Sequence, residues 1–176
     1  MNEHKTPVSR ANRLRFNLGF LLEAPMGTSR EYELNFPIIE VSSDVTLQPL
    51  TGTFTVTRTS EGVYASGKLY STLITECARC LDDATITIDI PLDDLFYYPP
   101  HETPPGEFAF GDDGFIDLAP LIRELSLLGI PSMPLCKPDC QGLCQECGIN
   151  LNHETCDCEE DFIDPRLSAL RKLLDD

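Results

Sequence analysis

The chain has 176 residues and a mass of 19.6 kDa, enough for one domain with a real core and too little for two large lobes around a cleft. Apolar residues make up 41% of it, so it should fold rather than stay disordered. Lys and Arg number 13 against 29 Asp and Glu, a formal charge of −16, which argues against coating nucleic acid with the whole surface but allows a local basic contact.

Residues 1–12 read as a flexible basic N-terminus. Residues 1–30 hold five basic groups and two acidic ones; the remaining 146 residues hold 8 basic and 27 acidic. Arg10, Arg13 and Arg15 are therefore candidate contacts for a polyanion, set against the plainer reading of a solvated terminus. Residues 13–134 are expected to form an α+β core. Arg13–Leu22 begins with alternation and predicts a strand turning into a short helix, and Pro25, Met26 and Gly27 then make a turn. Tyr32, Leu34 and Phe36 recur with period two and predict a strand that Pro37 stops or leaves at a sheet edge. Gly52–Arg58 is strand material with Phe54 and Val56 on one face and threonines on the other. Ser60, Glu61 and Gly62 are turn chemistry, and Val63–Thr75 returns as the second strand of a hairpin. Ala84–Ile90 alternates again, and Leu95–Tyr98 adds a short edge strand.

Pro99–Gly114, rich in proline, glycine and acids, reads as a mobile loop or hinge. Asp117 then caps a helix with Pro120 in its first turn. Leu118, Leu121, Ile122, Leu125 and Leu128 form its apolar face, and Gly129 and Pro131 end it. Residues 135–176 form a cysteine-rich segment closed by a last helix, with Asp164 as cap and Pro165 in the first turn. The fold class is α+β: an antiparallel sheet, few helices and a zinc-stabilised C-terminal segment. No apolar run approaches 18 residues and MNEHKTPVSR lacks the apolar core of a signal peptide, so the expected location is cytoplasmic, with no membrane partner.

The eight cysteines carry the strongest chemical signal. Two form a CxxC at Cys77 and Cys80; six crowd between Cys136 and Cys158. With no export signal in view, crowded thiols point to a metal rather than to a disulfide framework. Cys144-x2-Cys147-Gly148 is a knuckle: two intervening residues let both thiolates reach one ion, and the glycine permits the tight turn behind them. Cys156 and Cys158 complete the simplest set of four, with Cys136, Cys140 and His153 as alternates; six thiols leave the choice open. One tetrahedral zinc is expected, structural because protein fills all four positions. The spacing is not the tight run of a ferredoxin cluster. Cys77 and Cys80 admit three readings: a redox dithiol, half of a metal site completed from the tail, or a turn with two partly buried thiols. The flanks of the two CxxC pairs do not match, so no internal repeat is expected. A glycine-rich phosphate loop, GxSxG and HExxH are all absent, and neither an enzyme nor a small-molecule substrate is expected.

The run ECARCLDD, then IDLAPLIRELSLLGIPSMPLC, CQGLCQECGINLNHETCDC and finally IDPRLSALRKLL resembles the YceD family, named for accumulation of the large-subunit ribosomal RNA. The matching motif positions are Cys77, Arg79, Cys80, the tail cysteines, Gly142, Gly148, Asn150, Asn152, Asp164, Pro165 and Arg166. The resemblance implies a non-enzymatic factor in large-subunit RNA accumulation or processing and ribosome assembly, with that RNA or its precursor, and ribosomal proteins, as partners. Arg79 joins the N-terminal arginines as a candidate RNA or partner contact; Cys77, Cys80, Asp164, Pro165 and Arg166 are motif positions of unassigned role. Two further readings stand beside this one. The acidic surface could hold a basic ribosomal protein with no RNA contact, or the CxxC could act as a thiol oxidoreductase.

Overall fold

Alternating β-branched and aromatic residues build most of the molecule. The computed structural model describes residues 9–158, which takes in Cys158 but leaves the expected last helix, with Asp164, Pro165 and Arg166, outside the described residues. In chain order the elements are β1 (Ser9–Arg10), a 3-10 turn (Ala11–Leu14), β2 (Arg15–Asn17), α1 (Gly19–Glu23), β3 (Ser29–Phe36), β4 (Ile39–Ser42), β5 (Val45–Leu47), β6 (Leu50–Arg58), β7 (Gly62–Glu76), β8 (Asp83–Tyr97), a 3-10 turn (Pro100–Glu102), β9 (Phe108–Ala109), β10 (Phe115–Asp117) and α2 (Ala119–Leu128). The main sheet has the order β3-β6-β7-β8-β9, antiparallel except for the parallel pair β8–β9. A small sheet, β1-β4-β5, and the pair β10–β2 complete the strands. The result is a mixed α+β fold dominated by sheet, as the alternation predicts.

The period-two pattern decides which face of the main sheet is covered. Leu34, Phe54, Val56, Leu69, Ile88 and Ile90 point inward and are buried. Leu14, Leu21, Ile39, Leu47, Leu121 and Ile122 cover them from the small sheet, the first turn and the two helices in one continuous cluster. Each such side chain contributes roughly 1.5–3 kcal/mol when fully buried. Phe16, Tyr32 and Phe54 meet at 5.2–5.4 Å between ring centroids and fix the first strands against β6.

Four expectations are revised. Leu95–Tyr98 is not a separate strand, because β8 runs unbroken for 15 residues from Asp83 to Tyr97. Pro91 is tolerated inside it because β9 flanks β8 only at Phe96 and Tyr97; elsewhere its outer side has no strand neighbour among the described residues, and a missing N–H costs nothing there. The segment 99–114 is pinned to the core: Phe110 is fully buried and its N–H donates to Tyr97 O at 2.8 Å. Leu118 occupies the cap position of α2, while the Asp117 carboxylate still accepts the Ala119 N–H at 2.9 Å. Leu128 is 81% exposed, because the buried face of α2 is centred on Ile122 and takes in Ser126 instead, whose hydroxyl donates to Ile122 O at 2.6 Å.

The β7–β8 hairpin positions the site. It extends past the core, where Leu73 is still buried but Ile74 is 56% exposed, and its tip carries Cys77 and Cys80.

Candidate metal centre

Two cysteines can point at one atom only if the chain turns sharply beneath them. At the hairpin tip the Cys77 N–H donates to Asp82 O at 2.8 Å, and the Leu81 N–H donates back to Cys77 O at 3.1 Å. The pair Glu76–Asp83 closes the turn. Cys144–Cys147 repeats every element of this. The Cys144 N–H donates to Ile149 O at 2.8 Å, the Gly148 N–H donates to Cys144 O at 2.9 Å, and a bridge between Leu143 and Asn150 closes the turn. The residue after the second cysteine is left-handed in both, φ 63° at Leu81 and 74° at Gly148. The molecule therefore contains a repeat of backbone hydrogen bonds that the flanking side chains do not show.

The thiols divide into two sets of four. Cys77, Cys80, Cys136 and Cys140 form one set; Cys144, Cys147, Cys156 and Cys158 form the other; within each, all Sγ atoms lie within 4.8 Å of one another. In the first set Cys77 and Cys140 are 3.8 Å apart and Cys80 and Cys136 3.5 Å; in the second Cys144 and Cys156 are 3.5 Å apart. A disulfide would need about 2.05 Å. A tetrahedral ion bonded to sulfur at about 2.3 Å sets its ligands roughly 3.8 Å apart, which these separations approach. Each set could coordinate a metal ion. The expectation of a single four-thiolate site is thereby corrected. Cys136 and Cys140 are not substitutes for Cys158. They fold onto the hairpin tip, where Leu135 and Leu143 pack with Ala84 and Ile86 around the buried thiols. Completion of the Cys77–Cys80 half-site from the tail, one of the three readings of that pair, is what the geometry brings together. His153 joins neither set; its Nε2 lies 3.0 Å from Asp82 Oδ2.

The electrostatics repeat as well. Burial works against the Cys77 thiolate, but the backbone N–H groups of Arg79, Cys136 and Cys80 offset it and bring this thiol down to about 6. The backbone N–H groups of Cys147 and Glu146 bring Cys144 down to about 6 in the same way. Of the other members, Cys140 also moves down, chiefly through its hydrogen bond from Asn152, while Cys80 and Cys136 move up chiefly through burial and Cys158 moves to about 12 through its hydrogen bond with Cys147 and burial. In each set the backbone N–H groups thus favour the thiolate form at the first position of the knuckle. Disulfide exchange needs a thiolate that a partner sulfur can reach. Cys77 is 0% and Cys80 3% exposed, which disfavours the oxidoreductase reading.

A polar seam joins the two sets. Asn150 Nδ2 donates to Asp82 Oδ2 at 2.8 Å, and Asn150 Oδ1 accepts from both the backbone and the side chain of Asn152. Asn152 Nδ2 reaches the Cys140 sulfur at 3.3 Å. Hydrogen bonds from Asn150 and His153 pull the Asp82 carboxyl below its ordinary range. Asp82 is the residue sequence reasoning missed; its place two residues after Cys80 was the available signal. Arg79 also belongs to the seam: it donates to Cys140 O at 3.0 Å, and its own carbonyl accepts the Leu143 N–H. The other arginines sit elsewhere. Arg10 lies in β1, whose backbone pairs with β4. Arg13 lies 5.1 Å from the Phe36 ring centroid, and Arg15 pairs with Asp113 at 2.8 Å and covers Phe115.

The fold and this centre define an α+β protein with a paired cysteine-knuckle junction between its sheet and its C-terminal segment. The chain belongs to the YceD family: the family described as large ribosomal RNA subunit accumulation protein YceD matches residues 65–174. That stretch includes both knuckles and the whole polar seam, and it bears out the resemblance read from the motifs. The family description names accumulation of the large ribosomal RNA subunit. Among curated proteins the chain is similar to uncharacterized proteins of Mycobacterium bovis and Mycobacterium tuberculosis, 37% identical over 119 residues, and of Mycobacterium leprae, 36% identical over 119 residues. These matches cover 65% of this chain and 54–57% of the relatives, so the chain spans little more than half their length. No solved structure matches. No helix among the described residues is long and apolar enough to cross a membrane.

Proposed function

We propose that the chain is a cytoplasmic, non-enzymatic factor that supports accumulation and processing of large-subunit ribosomal RNA during ribosome assembly, through weak direct contact with that RNA or its precursor. Membership of the YceD family carries this reading. The arginine surface supports it. Arg13, Arg15 and Arg30 each lie within 5.1–5.3 Å of an aromatic ring centroid, and Phe20 beside Arg30 is 44% exposed. Arginine planes and open aromatic faces are what unpaired bases stack on, and arginine also meets phosphate. Zinc at Cys144, Cys147, Cys156 and Cys158 gives the tail the fixed shape that its few apolar residues do not supply; all four positions are protein sulfur, so the ion is structural.

A second reading has its own observation. Among the described residues nothing covers the outer face of the main sheet, which carries Glu31 and Glu33 on β3, Asp89 and Asp93 on β8, and exposed Tyr70 between them. That face suits a basic ribosomal protein, with the RNA effect following indirectly.

Ultraviolet crosslinking of the full chain at native expression level, with sequencing of attached RNA and mass spectrometry of co-purifying protein, separates the two. Direct contact predicts crosslinks concentrated in large-subunit RNA precursors, reduced several-fold in an R10A/R13A/R15A variant. Recovery of basic ribosomal proteins with no RNA crosslinks would sink the first reading in favour of the second.

A further inference from the structure

We propose that the eight cysteines hold two zinc ions of unequal lability: an inner ion at Cys77, Cys80, Cys136 and Cys140 that clamps the tail to the sheet, and an outer ion at Cys144, Cys147, Cys156 and Cys158 that exchanges faster and is organised by the first. It rests on thiol geometry and burial and stands apart from any contact with RNA.

Burial separates the two sites. Cys77, Cys80 and Cys140 are 0–3% exposed, whereas in the outer set Cys147 is exposed and the other three are intermediate. A bound ion leaves by stepwise replacement of its ligands by protons, water or a chelator. Those agents reach all four outer sulfurs, whereas in the inner set only Cys136 is part-exposed and the other three are shielded. Connectivity separates them too. The inner set joins residues 56 and 63 apart in sequence, while Cys144 and Cys156 are 12 apart. Closing the longer loop is the more demanding step, and folding of the sheet has already placed half of that site on a rigid hairpin.

Order follows from contact. Only Gln141, Gly142 and Leu143 lie between Cys140 and Cys144, and they rest on the inner knuckle. The Leu143 N–H donates to Arg79 O at 3.1 Å, and a side chain at Gly142 would meet that same oxygen at 3.2 Å. Asn150, which closes the outer turn, is held by Asp82 of the inner one. The outer knuckle is thus laid on a base that the inner ion fixes. In each loading step one Zn(II) forms four Zn–S bonds, up to four S–H protons pass to the buffer, and no electrons move.

The test uses the full-length chain, reduced and loaded with zinc sulfate. Native mass spectrometry should count two zinc ions per chain. A colorimetric chelator should remove them in two phases differing at least ten-fold in rate. C156S/C158S should keep one ion, the slow phase and the strand signature in circular dichroism. C136S/C140S should lose the inner ion and bind the outer at least ten-fold more weakly. One ion per chain in the parent, or two leaving in a single phase, overturns the proposal. So does an outer site of unchanged affinity in C136S/C140S. If that variant fails to fold, the parent stoichiometry and phases together with C156S/C158S decide.

Discussion

Leu81 and Gly148 occupy the same place in two turns, and only one of them suits it. A left-handed backbone costs a residue with a β-carbon roughly 1–2 kcal/mol, and glycine almost nothing. Leu81 sits at φ 63° with 62% of its side chain exposed, so it gives up backbone energy without burying much surface in return. Leu81→Gly should therefore stabilise the zinc-loaded chain, by about 0.5–1 kcal/mol after the extra entropy of glycine in the unfolded state. Gly148→Ala should destabilise it by about 1 kcal/mol. Urea unfolding at fixed zinc concentration reads both, and a Leu81→Gly midpoint below the parent's would contradict the strain argument. The same contrast explains what was legible. CxxC followed by glycine announces a knuckle; CxxC followed by leucine hides one, because leucine is not a turn signal. Spacing put the outer four thiols forward as the simplest set but left Cys136, Cys140 and His153 open as alternates, and the inner four come from two stretches far apart in sequence that only the folded hairpin brings together.

Strands with clean alternation were read almost to the residue: Phe54 and Val56 face the core from β6, and Ser60, Glu61 and Gly62 turn the chain into β7. What escaped depended on neighbours. The continuity of β8 through Pro91 was not visible because the open flank that tolerates a proline is set by neighbouring strands, and the short pairing of β9 needed Phe110 to be drawn inward. The link between the small sheet and α2 was likewise unreadable. Arg123 forks onto the Asp44 carboxylate in the turn between β4 and β5, with Nε at 3.0 and 3.1 Å from its two oxygens. The hydrogen bonds from Arg123, and then from Ser42, hold this carboxyl well below the ordinary range. A lowered pKa means stability that is complete above the unfolded value, about 3.9, and lost as the pH falls toward the folded one. Thermal midpoints of the parent and D44N should accordingly differ at pH 6, and the difference should narrow progressively as the pH falls from about 4 to 2. A gap that stays constant across that window would mean the pair links the two elements by shape alone.

For the molecule as a whole, the charge of −16 leaves room for the proposed RNA contact only at a local basic patch. Among the described residues, the side of β8 turned away from β7 has a strand neighbour only at Phe96 and Tyr97, so most of its fifteen residues form a template onto which a second chain could add. Asp83, Asp89 and Asp93 set like charges along that edge and Pro91 offers it no N–H, so the edge is expected to resist pairing with a second copy. A D89V/P91V variant should scatter light at pH 7 in a concentration-dependent way that the parent does not. A clear solution at every concentration would shift the duty of guarding that edge to other residues.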